Sequence, residues 1–88
     1  MIKILICDDQ DVVCEGLNAI LSSDAELQVV ATARDGAEAI ELIPTARPDV
    51  VLMDLKMPIM NGVQATRQIH RDHSNVRVLV LTTYDADE

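Results

Sequence analysis

Four short runs of branched apolar residues punctuate the chain: "IKILIC" at 2–7, "LQVVATA" at 27–33, "DVVLM" at 49–53 and "VRVLVL" at 76–81. The first and third are continuous rather than alternating, which is the pattern of parallel strands covered on both faces. The second is slightly more polar, which places it nearer an edge. Between the runs the period changes. Val13, Leu17, Ile20 and Leu21 recur at three- and four-residue spacing over 11–23, and Ala37, Ile40 and Ile43 do so over 36–45. Val63, Thr66 and Ile69 give a weaker stripe over 62–72. Asp35 and Asn61 stand where the second and third helices need an N-cap, and Pro48 helps to stop the second. Asn61-Gly62 would also suit a hairpin turn, but "VQATRQIHRD" after it does not alternate, so Asn61 reads as a cap. The order β-α-β-α-β-α-β, with no repeat or linker, predicts an α/β fold: a doubly wound parallel sheet with right-handed crossovers.

Composition narrows the picture. A chain of 88 residues is one domain at most, and at that size only roughly 60–65% of the unfolded surface is buried. Tyr84 is the one aromatic residue, so the core must come from Val, Ile, Leu, Met and Ala. Fifteen acids against seven bases give a net charge of −8, which argues against nucleic acid or an anionic membrane as direct partners and for cations and basic surfaces. "MIKILIC" is too short for a signal sequence, and no other stretch approaches membrane-spanning length; a cytoplasmic location is expected. Cys7 and Cys14 sit in apolar patterning without C-x-x-C spacing and read as small core residues.

The acids carry the chemistry. In open parallel sheets the binding crevice lies at the carboxyl ends of the strands. Asp8 and Asp9 follow the first strand, Asp54 closes the third, and Thr82 and Thr83 close the fourth, all on one rim. If the first and third strands are neighbours, three carboxylates converge, each close pair repelling by roughly 1–4 kcal/mol. Such a cluster calls for a cation. An oxygen-only ligand set favours Mg²⁺ over zinc, since neither His nor Cys is expected on that rim. A carboxylate beside Mg²⁺ is also a competent nucleophile toward phosphorus.

"ILICDDQDVVCEGL", "RPDVVLMDLKMPIMNGVQAT" and "VLVLTTYDADE" resemble the receiver domain of bacterial two-component response regulators, in particular its NarL/FixJ (LuxR-type) branch. The D-x-x-M-P-x-x-x-G run from Asp54 to Gly62 carries most of the likeness. The resemblance implies a flavodoxin-like (CheY-like) fold with strand order 2-1-3-4. It implies that Asp54 accepts a phosphoryl group from a sensor histidine kinase or a small phosphodonor. Asp8 and Asp9 would hold Mg²⁺ together with Asp54 and the main-chain carbonyl of Lys56, and Thr82 would follow the phosphoryl group, with Thr83 beside it. Pro58 and Gly62 would shape the loop, the glycine letting the backbone pass close.

Receiver domains run on into a fifth strand and two further helices, with a lysine that pairs with the phosphoryl group. Residues 1–88 therefore read as a partial receiver, with a helix-turn-helix output domain expected beyond Glu88 and no residue assignable to that lysine's role. Without a fifth strand, 76–81 becomes an unpaired edge and part of the stripe on 11–23 stays uncovered, so self-association through strand 76–81 and helix 11–23 is expected. Two alternatives stay open. One is a non-signalling fragment serving as an interaction module. The other is a Mg²⁺-dependent aspartate-nucleophile phosphatase, for which Asp9 and Asp11 have the D-x-D form. A receiver is not expected to be a dedicated enzyme. His70 and His73 have a spacing that can hold metal, but read as exposed residues near a helix end.

Overall fold

The computed structural model describes residues 1–55 and 60–81. Four strands and three helices alternate: β1 (Ile2–Cys7), α1 (Asp11–Ser22), β2 (Leu27–Ala33), α2 (Gly36–Ala46), β3 (Val50–Asp54), α3 (Gly62–Asp72) and β4 (Arg77–Leu81). All strand pairs are parallel, in the order β2-β1-β3-β4. The element order and topology are those predicted, with no boundary shifted by more than one residue; Asp54 is itself the last residue of β3. The β1–β2 register slips between Ile4 and Leu5, which leaves Val30 as an extra residue on the edge strand.

The two faces of the sheet are packed unequally. On one, Leu5 and Cys7 of β1 and Val51 and Met53 of β3 meet Ala39 and Ile43 of α2 and Ala65 and Ile69 of α3 in a buried cluster. On the other, α1 packs against β1 and β2, yet none of its side chains is fully buried. Ile20, expected in its apolar stripe, is 68% exposed, while Val13, Leu17 and Leu21 are half-buried. The α3 stripe is also corrected: Gly62, Ala65 and Ile69 face inward, and Val63 points to solvent. The apolar count there was low, so the small residues that permit close packing did not register as core.

Local chemistry fixes the helix ends. The Asp35 carboxylate accepts from the Glu38 N–H at 2.9 Å, and Asn61 and Gln64 form a reciprocal capping box, which rules out a hairpin at Asn61-Gly62. Helix α2 contains Pro44 and ends where Arg47 turns left-handed at φ 51°, its N–H bonded to the Ile43 carbonyl; Pro48 follows, buried.

Two glycines let α2 and α3 converge beneath the strand ends. A Cβ on Gly36 would stand 2.7 Å from the Ala65 Cβ and 2.9 Å from the Met60 carbonyl oxygen, which itself accepts the Gly36 N–H at 3.1 Å. A Cβ on Gly62 would collide with the carbonyl oxygen of Asp54 and lie 2.8 Å from Leu55 Cα. Both obstacles at Gly62 are backbone and cannot rotate away. Gly62→Ala is therefore expected to cost about 1–3 kcal/mol, the range for overpacking, read as a lower urea midpoint; Gly16→Ala, whose added methyl meets nothing within 4 Å, should hold or raise it.

Candidate acidic site at the strand ends

The β1–β3 pairing, with Cys7 opposite Met53, sets the residues that follow β1 beside the last residue of β3. Asp8, Asp9 and Asp54 each offer a carboxylate oxygen, and these atoms lie within 4.8 Å of one another. Asp8 and Asp54 are buried, at 6% and 5% exposure, and Asp9 is half-buried. The strands position them: the Asp8 N–H extends the β1–β2 ladder by donating to the Ala33 carbonyl at 3.0 Å. One Asp8 oxygen accepts the Gln10 N–H at 2.9 Å, a turn that leads into α1.

The electrostatics are costly in the metal-free state. Burial raises the Asp8 carboxyl above its ordinary value of 3.8, the Gln10 hydrogen bond opposes this, and the charges of Asp54 and Asp9 raise it further. Neighbouring thiols feel the same surroundings. Burial, then Asp35 and Asp8, push Cys7 up to about 12, and its Sγ donates to the Asp35 carbonyl at 3.3 Å. Cys14 is only half-buried, and its Sγ donates to the Asp8 carbonyl at 3.4 Å. A cysteine thus stands closer to the rim than its apolar patterning suggested, but burial raises it too. As neutral thiols, neither offers the thiolate a soft metal needs. Three hard oxygen donors within 4.8 Å of one another, two of them on buried residues, suit a small dication.

Asp11, the second acid of the D-x-D spacing, is not in the cluster. It opens α1 as an exposed residue and pairs with Arg34 at 3.5 Å, a partner that nothing in the sequence pattern marks. Lys56, Pro58, Thr82, Thr83 and Tyr84 lie outside the described residues. His70 is exposed and His73 caps α3 with its N–H on the Ile69 carbonyl, far along the helix from the acids. A cleft of about 700 Å³ at the opposite pole, lined by Lys3, Arg47, Asp49 and His73 among others, mixes charges of both signs and is separate from the acidic rim.

A parallel sheet in the order 2-1-3-4 with an acid trio at the ends of its two central strands defines a flavodoxin-like domain with a rim suited to a divalent cation. The chain belongs to the response regulator receiver domain family, whose model matches residues 4–88. It is 52% identical to the transcriptional regulatory protein LnrK of Bacillus subtilis, over 96% of this chain and 38% of that protein. The signal receiver domain of the response regulator NarL from Mycobacterium tuberculosis superposes with a TM-score of 0.88 at 36% identity, over 96% of this chain and 68% of that one. CheY of Borrelia burgdorferi, solved as a CheX-CheY-BeF₃-Mg²⁺ complex, gives 0.88 at 28% identity, over 94% of this chain and 63% of that one. The chain spans less than half the length of LnrK. Among the described residues no helix is long and apolar enough to cross a membrane.

Asp8→Asn should stabilise the metal-free protein at pH 7. The amide keeps an acceptor for Gln10 while removing one of three crowded charges, a relief of about 1–3 kcal/mol, or several degrees in Tm. Because the folded-state value is raised, Asp8 favours folding when protonated and loses that contribution as pH rises through its folded value. The gain over wild type should therefore shrink as pH falls through that raised value and vanish below the ordinary value of 3.8. Thermal melts in EDTA from pH 7 downward check both.

Proposed function

We propose that Asp54 is the phosphoacceptor of this receiver domain and that Asp8, Asp9 and Asp54 hold a Mg²⁺ ion beside it, with the Lys56 carbonyl as a further ligand. The convergence of three carboxylate oxygens within 4.8 Å at the ends of β1 and β3 carries the reading. In the transfer, an Asp54 carboxylate oxygen attacks phosphorus, the bond from phosphorus to the donor nitrogen or oxygen breaks, and the leaving group departs with the electron pair. Bound Mg²⁺ would supply charge neutralisation for the transferring group. The chain's own contribution is positional. Asp54 is fixed by the β3 ladder and by the close passage of Gly62, and Asp8 by its Ala33 and Gln10 bonds. Thr82, with Thr83 beside it, would donate its hydroxyl to a phosphoryl oxygen, and Pro58 with Gly62 would shape the loop that presents Lys56.

The donor is a sensor histidine kinase or a small acyl phosphate. Residues 1–88 form part of the receiver, and the whole protein is a phosphorylation-controlled transcriptional regulator with a helix-turn-helix output domain; that LnrK is a transcriptional regulatory protein supports the regulatory part of this reading. The domain assists its own phosphorylation and dephosphorylation rather than turning over a separate substrate, and it works in the cytoplasm. Incubation with acetyl phosphate and Mg²⁺ should add about 80 Da to the intact mass, the increment of a single phosphorylation, and Asp54→Asn or EDTA should abolish it. An unmodified wild-type mass would overturn the assignment and favour a non-signalling interaction module; sustained release of phosphate would favour a phosphatase.

The 88-residue chain also self-associates through β4 and α1. Leu79 and Val80 are 58% and 43% exposed on a strand that is the sheet edge among the described residues, and Val12 and Ile20 of α1 are 74% and 68% exposed. Such an edge templates strand pairing. Sedimentation velocity at tens of micromolar should show species larger than the monomer, and Val80→Lys should shift the distribution toward it.

A further inference from the structure

Among the described residues, one cation directly follows the carboxyl end of a strand. Lys3 and Arg77 sit at or near strand starts, Arg47 ends α2, and Arg67 and Arg71 lie on α3. Arg34 alone comes immediately after β2, and the Ala33 carbonyl before it accepts the Asp8 N–H at 3.0 Å. Its backbone thus abuts the acid cluster.

The guanidinium is held weakly. Its partner is Asp11 at 3.5 Å, with the two side chains 67% and 72% exposed, a geometry worth about 0–1 kcal/mol and easily exchanged. The backbone, by contrast, is fixed, since the Arg34 N–H donates to the Glu38 carboxylate at 2.7 Å. A fixed root with a loosely tethered head lets the charge change partners. That charge already reaches inward to the half-buried Cys14 thiol, where it opposes the upward push of burial, Asp8 and Asp11. Asp54 lies two strands across from β2, roughly 10 Å at ordinary strand spacing, a gap that a long Arg side chain and a phosphoryl group on Asp54 close from opposite sides.

Charge balance gives the head a reason to move. Three carboxylates and one dication leave the site at −1, which repels an anionic donor; a guanidinium brings it to neutrality and offers a planar fork to phosphoryl oxygens. Resting on the reading of Asp54 as acceptor, we infer that Arg34 leaves Asp11 to engage the anionic phosphoryl donor and then the phosphoryl group on Asp54. Asp11 is its parking partner.

The test measures phosphorylation rate against acetyl phosphate concentration with saturating Mg²⁺, in wild type, Arg34→Gln, Arg34→Lys and Asp11→Asn. In the transfer the phosphorus–oxygen bond to acetate breaks as the Asp54 oxygen bonds to phosphorus, acetate leaving with the electron pair. Arg34→Gln should raise the half-saturating concentration about 3- to 10-fold and flatten its dependence on ionic strength, with the same Tm and the same Mg²⁺ affinity. Arg34→Lys should recover part of the loss, and Asp11→Asn should lower the half-saturating concentration. If wild type is phosphorylated on Asp54 but Arg34→Gln leaves both half-saturation and salt dependence unchanged, the role of Arg34 is refuted while the acceptor stands. If wild type is not phosphorylated on Asp54, both fall.

Discussion

Mutual repulsion among Asp8, Asp9 and Asp54 is the constraint around which this domain is built. Three carboxylate oxygens within 4.8 Å, two of them on buried residues, weaken a metal-free fold, and the rest of the molecule holds them there. The Asp8 N–H continues the sheet ladder to Ala33, and Asp54 is paired with Leu81 within the β3–β4 register. The cost is sustained by one well-packed face, where Leu5, Val51 and Met53 lie beneath α2 and α3. Binding a dication to such a site converts an unfavourable local field into a folding-linked gain, so metal affinity and stability are two readings of one electrostatic arrangement.

The end of β3 is also crowded by backbone. Asp54 ends its strand, and α3 must begin close by, because Gly62 donates its N–H to the Leu55 carbonyl at 3.2 Å. Only the absence of a side chain at position 62 admits that return. Gly36 does the equivalent for α2 against Met60 and Ala65. The geometry of the site is thereby tied to helix–helix packing several residues away.

Much of this was legible in the sequence. Continuous apolar strands, helical spacing and two N-cap residues give the element order and a parallel sheet, because each is a local rule with a global consequence; the strand order 2-1-3-4, and with it the convergence of the acids, follows from the resemblance to receiver domains. What escaped was cumulative or relational. Val63 fits an apolar stripe yet faces solvent, whereas Gly62, Ala65 and Ile69 are the buried residues of α3. Ile20 fits the stripe on α1 yet faces solvent, since the helix packs over one flank of the sheet. Cys14 joins the rim through the Asp8 main chain, and Arg34 through the β2 register; neither contact has a sequence period.

The unequal faces bear on how the molecule opens. Because α1 buries no side chain completely, lifting it away uncovers less apolar surface than disturbing α2 or α3, and such an element belongs at the low end of the local-stability scale. The turn that launches α1 is the one through Asp8 and Gln10. A cation clasped by Asp8 and Asp9 would consequently brace the hinge of the loosest helix, so that hydrogen exchange along α1 becomes a gauge of occupancy at the strand-end rim.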